Sequence, residues 1–258
     1  MAIVASDLKA WASVATPEDD SSTSGGIIQD DAHASGGVKI AFTDISAADT
    51  VEVISDGSDT RTVTVTGRLA SGAIDSDAIV LNGATFVAGA KTFKNILKIV
   101  LSAKDAARTV TVRKASDDVT IATLEPNVIA VRRLFYDASV PSSGSTTRYE
   151  LIYLKNTHGT LALLAANAKL TSDPVANLEI AMAAAAGDTP SVANRLTAPT
   201  GGNLTGAGFV NDNVALAHPS TDQAAGGRIG IWLKQTLTAG DPAFESTWTI
   251  QHYGNTAA

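Results

Sequence analysis

Cysteine is absent from the 258-residue chain. That excludes disulfide staples and structural thiolate metal sites, and it leaves the redox compartment open. Aromatic residues are scarce at 5% and charged residues at 17%, so a core must rest on small aliphatic side chains and a surface on Thr and Ser. Long apolar runs are also missing: Ile96 to Leu101 and Ala181 to Ala186 fall far short of the roughly 20 residues needed to span a bilayer. The start, Met1-Ala-Ile-Val-Ala-Ser-Asp7, lacks the basic stretch that opens a signal peptide. The expectation is a soluble protein made in a cytoplasm, with no membrane partner. The net charge of −7 argues against non-specific nucleic-acid binding, which needs a positive surface.

What is present is a 45% hydrophobic chain, long enough for one large or two medium domains. Residues 1–37 contain Leu8 and Trp11, then Pro17-Glu-Asp-Asp-Ser-Ser-Thr-Ser-Gly-Gly26 and Ala34-Ser-Gly-Gly37, compositions that rarely build a core. They read either as an extended N-terminal arm that orders against a neighbouring subunit, with Leu8 and Trp11 as candidate interaction residues, or as a flexible terminus.

From Val38 the pattern has period two. Val51/Val53, Val63/Val65, Ile79/Leu81, Val110/Val112 and Val119/Ile121 alternate with polar residues, the mark of half-buried strands. Turn signals at Asp56-Gly57, Ser71-Gly72, Asn82-Gly83 and Ser116-Asp117-Asp118 separate them at the spacing of a sandwich or barrel. Phe93, Ile96, Leu97 and Val100 sit at helical spacing, yet Gly89 and Ile99-Val100-Leu101 also permit a strand, and a strand is the preferred reading.

The small, polar segment Asp137-Ala-Ser-Val-Pro-Ser-Ser-Gly-Ser145 marks a domain boundary. The expected layout is an arm over 1–37, a first β-sandwich over 38–136 and a second over 146–258. Strands of the second are expected at Tyr149–Lys155, Leu161–Leu163, Leu178–Ala183, Ile229–Lys234 and Trp248–Tyr253. Ile229, Ile231 and Leu233 then face one side and Trp232 and Lys234 the other, which makes Trp232 a candidate interface residue. Residues 184–227, rich in Gly, Pro, Asn and Thr, form a long loop region of the kind that a partner orders. Ile180–Ala186 fits a short helix or a strand about equally.

Chemistry has little to attach to. His33, His158, His218 and His252 are far apart in sequence and lack the short ligand spacing of zinc sites, so surface or structural histidines are expected. No Gly-x-Ser-x-Gly elbow nominates a nucleophile. Gly201-Gly-Asn-Leu-Thr-Gly-Ala-Gly208 has no Gly-Lys-Ser/Thr after it and reads as a loop rather than a phosphate cradle. Asp56-Gly-Ser-Asp59 and Asp75-Ser-Asp77 lack the full ligand set of a calcium loop. Lys91, Lys94, Lys98, Lys104, Arg108, Arg113, Lys114, Arg132 and Arg133 gather in one stretch, either a solvated face or one that meets an acidic partner. The expectation is no enzyme, no cofactor and no metal.

Thr62-Val-Thr-Val-Thr-Gly-Arg-Leu-Ala-Ser-Gly72 and Ile79-Val-Leu-Asn-Gly-Ala-Thr-Phe-Val-Ala-Gly-Ala-Lys-Thr-Phe93 resemble a strand-turn-strand pattern of tailed-bacteriophage structural proteins. Tyr153-Leu-Lys-Asn-Thr-His-Gly-Thr-Leu161 and Ile231-Trp-Leu-Lys-Gln-Thr-Leu-Thr-Ala-Gly-Asp-Pro-Ala-Phe244 look similar to the second half of such virion proteins. The resemblance implies a mainly β chain of immunoglobulin-like or jelly-roll sandwiches and a place in the virion. The role implied first is capsid decoration (cement), with tail, collar or baseplate components as the alternative. It also implies contacts with the major capsid protein or other virion proteins and a homo-oligomer, by analogy with phage cement proteins a trimer. A receptor- or carbohydrate-binding module using Trp232, Trp248 and Tyr253 is the reading from a different class.

Overall fold

The structure, a computed structural model, describes residues 2–12, 37–40, 43–135, 140–186, 192, 195–241 and 248–256. It is mainly β. The first strands are β1 (Leu8–Ala12), β2 (Gly37–Lys39), β3 (Asp49–Ser55), β4 (Thr62–Arg68), β5 (Ile74–Val80) and β6 (Val87–Phe93). They are followed by β7 (Asn95–Leu101), β8 (Val110–Lys114), β9 (Thr120–Leu124), β10 (Val128–Arg132) and β11 (Ser145–Asn156). The last are β12 (Leu163–Ser172), β13 (Leu178–Ala186), β14 (Leu216–Ala217), β15 (Arg228–Thr238) and β16 (Thr249–Thr256).

The chain divides into two units: Asp30–Tyr136, and Met1–Gln29 together with Asp137–Ala258. The break falls at the start of the Asp137–Ser145 segment.

In the continuous unit, β2-β10-β7-β4-β5 form one sheet and β6-β3-β8-β9 a second. The period-two valines supply the interior: Val51, Val53, Val63, Val65, Val110 and Val112 are wholly buried, while the Thr residues between those of β4 stay partly exposed. Asp77, in the middle of β5, links the two sheets through its side chain. Its side chain is buried, and one carboxylate oxygen accepts the N–H of Ala90 at 2.6 Å and of Lys91 at 2.9 Å. These two amides lie where the β3–β6 register slips. Gly89 leaves room for that carboxylate, since a Cβ there would stand 2.5 Å from it.

The segment with helical spacing is two strands. β6 ends at Phe93 and β7 starts at Asn95, and a register shift opposite Gly67 lets both Ile96 and Leu97 face inward. Two adjacent buried residues after a buried Phe93 imitate an i, i+3, i+4 stripe.

In the discontinuous unit, β13-β15-β11-β1 form one sheet and β14-β12-β16 the other. Ile152, Leu154, Ile180, Met182, Ile229, Ile231 and Leu233 share the inner face, as their direct pairing across β11, β15 and β13 requires. The Ala-rich segment Ile180–Ala186 is strand, because pairing with β15 outweighs alanine's helix propensity.

Part of the expected arm is not an arm. Leu8–Ala12 pairs antiparallel with Asn156–Ile152 of β11, since Leu8 and Trp11 gain more by joining a sheet than by remaining in water. The rest of the arm, 13–36, lies outside the described residues, as does His33.

Candidate interaction surface

β11 is buried on both faces from Arg148 to Leu154, although a strand in a two-sheet sandwich ordinarily shows one face to water. The cover comes from the loop region 184–227. Val192, Leu204 and Phe209 pack on a buried cluster of Leu151, Tyr153, Ala181 and Trp232. The Trp232 indole N–H donates to the Asn203 carbonyl at 3.2 Å, inside the 3₁₀ turn Gly201–Asn203. Val210 exchanges two backbone hydrogen bonds with Ile180 on β13. The expectation for Trp232 is corrected. Trp232 is 0% exposed and offers no interface or sugar platform, and Val192, Leu204, Phe209 and Val210 of the long loop pack on or bond to their own sheet.

Trp11 is buried too, and its indole N–H has no partner among the described residues. It projects from the same face of the sheet as Tyr153, its direct neighbour across β11. Leu8 points to the other face, packing with Ile3, Leu161, Leu163 and Ala166.

Leu8 borders an open groove. The groove, of about 560 Å³, is lined by Ala5, Leu8, Lys9, Ala10, Leu154, Thr171 and residues Thr249 to His252. One wall is β1, the other is β16. Lys9 is the charged group in that lining. β16 ends its sheet: β12 pairs with one side, and among the described residues no strand pairs with the other. Its eight residues, Thr-Ile-Gln-His-Tyr-Gly-Asn-Thr, include no Lys, Glu, Asp or Pro, the residues that natural sheets use to block an open edge.

His252 and His218 come together here, which their sequence separation hides. His252 is directly opposite Ala168 on β12, and the His218 backbone N–H donates to the Ala166 carbonyl at 2.9 Å. His218 Nδ1 accepts the Ser220 N–H at 3.2 Å. Its Nε2 and both His252 nitrogens are buried without a partner among the described residues. Burial pushes the His252 imidazole down to about 4, and the nearby His218 adds to this. Burial also lowers His218, against a smaller opposing pull from Asp222. His158 is structural, its Nδ1 accepting the N–H groups of Thr160 and Leu161.

Four members of the basic stretch are paired within their own unit. Lys91 pairs with Asp75 at 2.5 Å, Arg113 with Glu52 at 2.5 Å, Lys114 with Asp117 at 2.6 Å, and Arg133 with Asp44. Arg113 also lies 3.3 Å over the Phe86 ring. The acidic turns are equally engaged: Asp59 holds the Arg61 guanidinium at 2.6 Å. Among the described residues no group of three or more His, Asp or Glu is placed to hold a metal ion, and no helix is long and apolar enough to cross a membrane. Comparison with protein-family models, with curated proteins and with solved structures returned no match.

Proposed function

We propose that this chain is a structural protein of a tailed-phage virion and acts as a capsid decoration (cement) protein through protein–protein contacts. The observation that carries this reading is β16, an uncharged eight-residue strand with an unpaired edge beside a groove with apolar walls at Leu8, Ala10, Leu154 and Ile250. An open edge supplies a row of backbone donors and acceptors to an incoming extended segment, and the adjoining groove takes its alternate side chains. Lys9, with no carboxylate in the lining, favours a segment that carries an acidic side chain. The partner is then the major capsid protein or a neighbouring virion subunit, and many small contacts repeated over a lattice hold by avidity.

The stretches that resemble phage proteins support the same reading. Thr62–Gly72 and Ile79–Phe93 fall on β4, β5 and β6, while the strand parts of the other two are the C-terminal end of β11 and most of β15, two directly paired strands.

The test is quantitative mass spectrometry of purified virions, comparing copies of this chain with copies of the major capsid protein. Hundreds of copies per particle are expected. A few dozen or fewer moves the chain to the collar, tail or baseplate, and absence from virions overturns the reading. A surface variant tests the edge itself. Gln251 is exposed and pairs with Lys169, so Gln251→Glu places a charge on the edge opposite a cation without emptying the core. It is expected to weaken binding to capsids that lack the chain by tenfold or more.

A further inference from the structure

β12 carries a bulge that brings two histidines over one pair of alanines. Ala165 adopts φ +46°, held by the Asp222 carboxylate, which accepts its N–H at 2.8 Å, and by the Asn167 amide, which donates to its carbonyl at 2.6 Å. The extra residue shifts the phase of the strand, so that Leu163 and then Ala166, Ala168 and Leu170 face inward. Directly opposed residues share a face of a sheet. His252 on β16 and His218 just after β14 therefore project inward from either side of β12, above two methyl-sized side chains. Buried polar groups ordinarily find partners. Here three of the four ring nitrogens have none among the described residues.

A neutral imidazole tolerates this place and an imidazolium does not, because burial without a counter-ion penalises the charged form. The charged groups on the surrounding elements offer little relief. Lys9 on β1 is a second cation along the groove. Asp222 favours a charged His218 only as a smaller effect than burial, and one of its oxygens is taken by Ala165. Glu150, on the inner face of β11, has the Arg195 guanidinium 4.0 Å away.

We propose that His218 and His252 form an acid-operated latch on the β16 edge: a proton taken from solvent by either ring detaches β16 and the His218 turn from β12. The latch regulates the surface assigned above and so rests on that assembly role for its biological use, but it is testable on the isolated protein. Both groups have values below the ordinary histidine value of 6.5. The unfolded or opened state then binds more protons, and stability is complete above pH 6.5 and lost as pH falls toward 4. Among the described residues, the aspartates with shifted values, Asp59, Asp75 and Asp117, are all lowered from 3.8. Their contributions are lost only below that pH, which leaves the interval from 6.5 to 4.5 to the histidines.

The experiment is opening of the full-length protein followed from pH 7.5 to 4.5 by hydrogen exchange of the β12 and β16 amides, corrected for the intrinsic pH dependence of exchange. His252 alone is expected to raise the opening constant about thirty-fold by pH 5, with His218 adding to it. His252→Gln and His218→Gln should each remove part of this dependence. Should either variant fail to fold, NMR titration of the wild-type imidazoles decides: two rings titrating near 6.5 overturn the latch. A wild-type response that is flat over this interval, or one unchanged in both variants, also overturns it while leaving the assembly role standing. Acid opening in a chain that binds no capsid keeps the latch and removes the assembly role.

Discussion

Burying Trp232 strips its indole N–H of water, and the Asn203 carbonyl at 3.2 Å replaces that partner. The ring thereby ties the 3₁₀ turn Gly201–Asn203 to the outer face of the sheet. Trp232→Ala leaves a cavity beneath Leu204 and Phe209 and is expected to cost about 3–5 kcal/mol, read as a lower denaturant midpoint. Trp232→Phe keeps most of the contact, loses the hydrogen bond and should cost about 1–2 kcal/mol. A midpoint unmoved by Trp232→Ala would mean that the loop does not close this face. Alternation in the sequence placed Trp232 opposite Ile231 and Leu233, and that is where it lies. What alternation does not show is whether a face is covered by the chain's own loop or by another molecule. Asp59 behaves differently. The Arg61 guanidinium hydrogen-bonds its carboxylate and holds it below the ordinary 3.8, so the pair stabilises the fold above that pH and loses its effect as pH falls through the lowered value. Asp59→Asn is expected to flatten the pH dependence of unfolding below about pH 4 and leave the interval above it unchanged.

Among the elements, strands with an unbroken period of two were legible and strands with bulges were not. β3, β4, β5 and β8 alternate buried and less buried residues along most of their length, and the pairs Val51/Val53, Val63/Val65, Ile79/Leu81 and Val110/Val112 suffice to find them. β12 was missed beyond Leu163, because Ala165 inserts a residue and its buried positions, Ala166 and Ala168, carry side chains too small to register as apolar signal. That same miss hid the histidine pair. β6 was obscured in a similar way, by the slip at Asp77 and Gly89. The slip yields a prediction: Asp77→Ala leaves the N–H groups of Ala90 and Lys91 without their acceptor and should cost about 2–3 kcal/mol. Gly89→Ala forces a methyl group to within 2.5 Å of the carboxylate and 2.9 Å of the Ile79 side chain, and should destabilise by about 1–3 kcal/mol. Urea unfolding of both variants and of the double variant checks the mechanism. If the carboxylate is what Gly89 makes room for, the two costs fall short of additive.

At the scale of the molecule, one unit is assembled from chain on both sides of the other. Asp30–Tyr136 is continuous, whereas Asp137–Ala258 is grouped with Met1–Gln29. The only described strand from that leading segment is β1, which contributes Leu8, Trp11 and five register positions along β11. Composition concealed this, because a five-residue strand followed by Pro, Ser, Gly and Asp reads as a tail. Removing residues 1–12 takes away the buried Ile3 and Trp11 and the partly buried Leu8, and it uncovers one edge of β11 from Ile152 to Asn156. It should cost that unit at least about 3 kcal/mol at 1.5–3 kcal/mol per large buried side chain. The continuous unit keeps all of its own strands under this truncation. Its wholly buried valines lie on β3, β4 and β8, so the amides of those strands should exchange at unchanged rates while those of β11 from Ile152 to Asn156 exchange faster. Residues 30–136 expressed alone should likewise unfold in one cooperative transition. A truncation that accelerated exchange equally in β3, β4 and β8 would show instead that the two units share their stability, and β1 would then be a strut of the whole chain rather than a strand of one sandwich.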